Sequence, residues 1–82
     1  MQPTITIAKA MSGQKSAPFF EGETVLQALS YAYGEEVALD ELEVNKILRR
    51  AAGQGQESSA VPGDYVLSEG DSLFISEKHD NG

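Results

Sequence analysis

Few residues in this chain combine the right type with a setting that could support chemistry. His79 is the single histidine and stands beside Asp80, a pairing that in other contexts holds a metal or relays a proton. A working imidazole needs a second group to fix its orientation. The stretch Glu77 to Gly82 is polar throughout and offers no such support, so the pair reads as solvated. "SGQKS" (Ser12 to Ser16) has phosphate-loop residue types without the upstream glycine or the Gly-Lys-Ser/Thr order, and "GQGQ" (Gly53 to Gln56) lacks the full dinucleotide fingerprint. The sequence contains no cysteine, which excludes disulfides, thiolate nucleophiles and cysteine zinc sites. No Ser/His/Asp set, metalloprotease motif or paired-carboxylate spacing is present. The expectation is a protein that is not an enzyme and has neither cofactor nor metal.

The remaining candidates are contact residues. Lys46, Arg49 and Arg50 place three of the six basic residues within five positions of an acidic chain. They form either a docking patch for an acidic partner or ordinary solvated charges at a helix end. Phe19 and Phe20 are adjacent and cannot both face one side of a regular strand. One of them would be an exposed contact, and Phe19 is the choice, unless a bulge at Pro18 buries both.

Eighty-two residues make one domain that buries roughly 60% of its unfolded surface, with little room for a deep cleft. Thirteen Asp and Glu against six Lys and Arg give a formal charge of −7. Such a surface repels phosphate backbones, so direct nucleic-acid binding is not expected. Mimicry of nucleic acid toward one of its enzymes remains as an inhibitor reading. No secretory signal and no apolar run of membrane-spanning length is visible, so a cytoplasmic protein without membrane contact is expected.

The elements that position these residues are readable in part. "TITIAKA" (Thr4 to Ala10) alternates, with Ile5 and Ile7 on one face, and forms a hairpin with residues 15–20, Pro18 suiting an edge strand. In "GETVLQALSYAYG", Thr24 and Gln27 make a capping box, Val25, Ala28, Leu29 and Ala32 share one face, and Gly34 closes the helix over 24–33. The segment 41–52 is open. Asp40 could cap a helix carrying Val44, Ile47, Leu48 and Ala51, whereas "LEVNKIL" alternates briefly as a strand. Glu35-Glu36 and residues 53–64 read as loops. "YVL" and "SLFIS" read as short strands around "SEGD", where Gly70 permits a tight turn and Asp71 can accept from its amides.

This order resembles the ubiquitin-like β-grasp fold, and more narrowly the sulfur-carrier family of thiamin and molybdopterin biosynthesis (ThiS/MoaD type). "GETVLQAL" (Gly22 to Leu29) sits where that family begins its helix. "LEVN" (Leu42 to Asn45) is similar to its strand-and-turn, and "YVLSEGDSLFI" (Tyr65 to Ile75) to its closing motif. The resemblance implies an α+β domain over 1–76, a mixed sheet packed on the 24–33 helix, and a flexible tail over 77–82. It also implies that a ubiquitin-activating-like enzyme adenylates the carboxylate of Gly82, which then becomes a thiocarboxylate. Asn81 stands where the family has a glycine. The expected function is therefore an adaptor or assembly subunit recognised by a larger protein through its sheet face or an edge. The alternatives are a carrier or modifier activated at Gly82, and an acidic inhibitor.

Overall fold

The computed structural model describes residues 2–9, 12–53 and 58–76. Two strands open the chain, β1 (Thr4–Lys9) and β2 (Gly13–Pro18), followed by α1 (Val25–Tyr33), α2 (Glu35–Val44), β3 (Lys46–Arg50), β4 (Ser59–Ala60) and β5 (Ser72–Ser76). Together they form a small α+β domain with a five-stranded mixed sheet in the order β2-β1-β5-β3-β4. β1 and β5 run parallel, and the other neighbours are antiparallel.

Alternation along the strands builds the core. Ile5 and Ile7 of β1, Ile47 of β3, and Leu73 and Ile75 of β5 are all buried on one side, since successive strand residues face opposite ways. Val25, Ala28 and Leu29 of α1 are buried against them. The start of α1 is well satisfied. Thr24 caps it reciprocally with Gln27, and the first amides of the helix, Val25 and Leu26, donate to the carbonyls of Tyr65 (3.0 Å) and Gly63 (2.9 Å).

β2 is an edge strand, and Pro18 lies opposite Thr4. The Phe19 amide donates to Pro3 at 3.0 Å, so residues 13, 15, 17 and 19 are the ones bonded across to β1. Gln14, Ser16 and Pro18 turn their backbone groups outward, and proline's missing donor costs no ladder bond. The second strand lies about two residues earlier than the sequence suggested.

Four further expectations are corrected. Segment 41–52 contains both a helix and a strand: α2 runs to Val44, and β3 begins at Lys46. The Asn45 amide donates to the Glu41 carbonyl at 2.8 Å while its φ of −120° turns the backbone extended. Pairing of Ile47 with Ile75 and Leu48 with Phe74 then outweighs the local helical pattern. Glu35 and Glu36 form the first turn of α2 rather than a loop, where carboxylates suit the positive helix end. "YVL" contributes one bridge, Val66 to Thr24, and no strand. The supposed loop over 53–64 contains β4.

The turn before β5 follows the expected chemistry. Gly70 has φ +90°, and a Cβ there would sit 2.8 Å from that of Ala52. Asp71 accepts from the Ser68 amide at 2.8 Å.

Candidate functional site

Residues paired directly across strands share a face, and this divides the candidate cations. Lys46 pairs with Ser76, Leu48 with Phe74, and Arg50 with Ser72. These six lie on the face turned away from the helices, where Phe74 is 39% exposed. Arg49 points the other way. Its Nε and Nη2 donate to Asp71 at 2.9 and 3.1 Å, and its guanidinium stacks 5.2 Å from the Tyr65 ring centre. The hydrogen bond to Asp71 raises the arginine pKa still further, with burial opposing. Of the three clustered cations, the structure brings two together on the open face and uses the third in an internal ion pair.

The helix-facing cations have similar partners. Lys9 reaches the buried Glu41 of α2, which also accepts from the Asn45 side chain. Lys15 lies 4.8 Å over the Tyr33 ring. Among the described residues, every Asp and Glu falls outside the five strands, while Lys9, Lys15, Lys46, Arg49 and Arg50 all lie within them. On an acidic molecule, the strands therefore present two cations and no carboxylate on the open face among the described residues.

A shallow, open hollow of about 230 Å³ crosses this face, lined by Thr6, Ala8, Leu48, Arg50, Ser72 and Phe74 among others. Among the described residues, Arg50 is the only ionisable group lining it. Leu48 and Phe74 supply apolar contact area, and the flanking cations can pair with carboxylates.

Phe19 turns inward and packs against the core. Phe20 is the exposed member of the pair, meeting Tyr31 edge-to-face at 6.0 Å. His79, Asn81 and Gly82, like the whole 77–82 tail, lie outside the described residues.

Sequence reasoning did not find Glu23. It is fully buried immediately before the α1 cap, and neither carboxylate oxygen has a hydrogen-bond partner. Burial pushes its pKa up, and the nearby Phe20 backbone offsets this only in part, neither oxygen reaching hydrogen-bond geometry. Sequence gave no signal for it, because a glutamate ahead of an N-cap ordinarily faces water. The strand alternation of Lys46, Leu48 and Arg50 was the available signal for the open face.

Among the described residues, no cluster of three His, Asp or Glu could hold a metal, and no helix is long and apolar enough to cross a membrane. No family model, curated protein or solved structure matches the chain.

Proposed function

We propose that this chain is a small, non-enzymatic adaptor or assembly subunit, recognised by a protein through the open face of its sheet. The observation that carries this reading is half-buried Leu48 beside exposed Phe74, flanked by Lys46 and Arg50, on a face where no described strand residue is a carboxylate. The face is favoured over the edges. β2 is blunted by Lys15 and Pro18, and β4 is only two residues long, both familiar defences against strand addition. The mixed sheet with a capped helix across it is compatible with a β-grasp, the fold the sequence resembles.

That same compatibility favours a second reading, a sulfur carrier or modifier adenylated at Gly82 by a ubiquitin-activating-like enzyme. Intact mass spectrometry after incubation with ATP and the host's activating enzyme separates the two. A carrier gains an adenylate or thiocarboxylate, and loses that gain when Gly82 is deleted. An adaptor shows no mass change, keeps its partner after removal of 77–82, and releases it on Phe74→Ser. Retention of the partner by Phe74→Ser would sink the open-face reading.

A further inference from the structure

α2 poses a question that its own packing does not answer. Ala38 and Glu41 are its buried residues, while Val37, Leu39 and Val44 are 45%, 51% and 52% exposed. Among the described residues, those three account for nearly half of the large apolar side chains left in water. They are arranged with respect to charge. Glu36, Asp40 and Glu43 follow i, i+4, i+7 spacing, one ridge along the outermost line of the helix. Val37 and Val44, seven residues apart, run along one flank of that ridge, and Leu39 lies on the other.

The open sheet face has the complementary arrangement. Lys46 and Arg50, four residues apart on β3, stand about 13 Å apart along the strand, with Leu48 between them and Phe74 beside Leu48. The acidic ridge from Glu36 to Glu43 spans about 10 Å of helix. Laid along β3, it brings a carboxylate to each cation while Val37 and Val44 turn onto Phe74. We propose that the open sheet face docks the outer face of α2 from a second copy of this chain. This rests on the open-face reading above and names its occupant.

The two surfaces lie on opposite sides of the molecule. α2 packs on the helix side, where Glu41 meets Lys9, and the open face is the reverse of the sheet. One copy cannot return the contact to the copy that docks on it. The association is therefore heterologous and extends head to tail, as a ring or an open chain, rather than closing as a twofold dimer. Whole-molecule repulsion at −7 opposes it at low salt. At about 0.15 M the Debye length falls to about 8 Å, which screens the distant charges more than the contacting ones. Association is strongest at intermediate salt and weakens at both about 10 mM and about 1 M.

Sedimentation equilibrium of the full chain, from about 10 μM to about 1 mM, spans the range of weak contacts. The expected result is a weight-average mass that climbs past twice the monomer without a plateau there. Lys46→Ser/Arg50→Ser disables one surface and Glu36→Gln/Asp40→Asn the other. Each double variant alone stays monomeric, with a circular dichroism spectrum like that of the parent, and an equimolar mixture forms dimers and stops there. A parent chain that is monomeric at 1 mM overturns the proposal. So does a mass that levels off at two, or a mixture that stays monomeric. The broader recognition reading is judged separately, by whether Phe74→Ser releases the protein partner.

Discussion

Replacing Glu23 by Gln removes a charge from a place where nothing balances it. Both oxygens of Glu23 are buried and unpartnered, and leaving a buried polar group unsatisfied costs about 1–3 kcal/mol, more when it is charged. Burial raises its pKa above that of an ordinary glutamate. The native state thus holds this proton to higher pH than the unfolded chain does. Between the two pKa values the native state binds more protons, so stability falls as pH rises through that window. Below the unfolded pKa, Glu23 is neutral in both states and has no charge penalty. Glu23→Gln stays neutral throughout, so it should match the parent near pH 4 and exceed it at pH 8 by about 1–3 kcal/mol. For a domain of this size, each kcal/mol moves the melting temperature by about 4–8 °C. Urea unfolding of both proteins across pH 4–8 measures the difference, from which the other carboxylates largely cancel. Parallel curves across that range, or a variant less stable than the parent at pH 8, would refute the argument.

Two further perturbations probe the interior. Asp71→Ala strands Arg49 and removes the acceptor for the Ser68 amide; with the Asp71 side chain 1% exposed, a loss of about 3–5 kcal/mol is expected in chemical denaturation. Thr24→Ala breaks one arm of the capping box and should cost about 1 kcal/mol, whereas Thr24→Ser should restore most of it.

What was legible in the sequence was local. The capping box and apolar stripe of α1 lie within ten residues, and the Gly70-Asp71 turn within four, so neighbouring residues dictate each. β3 was undecided because its helical spacing is genuine. The choice of strand is made by Ile75 and Phe74, nearly thirty residues away. β4 was missed because Ser59 and Ala60 have no strand character of their own and pair only where Leu48 and Arg49 offer an edge. The split of the basic cluster followed from β3 being a strand: alternation sends Arg49 to Asp71 and leaves its neighbours on the far side. Glu23 had no sequence signature, since its burial is set by tertiary packing and not by its neighbours in the chain.

The parallel ladder between β1 and β5 joins Thr6 to Ser72 and Ile7 to Leu73, and β5 also sits at the centre of the sheet. The middle of the sheet is therefore formed by the last of its five strands in chain order. On the ribosome, the first hairpin and both helices emerge with Ile5, Ile7 and Ile47 still lacking the strand that covers them. Closure must wait for a contact spanning most of the sequence, a topology that folds slowly and leaves apolar surface exposed in the interval. A chain truncated before residue 72 should bind chaperones and be cut readily by protease, and restoring residues 72–76 should end both.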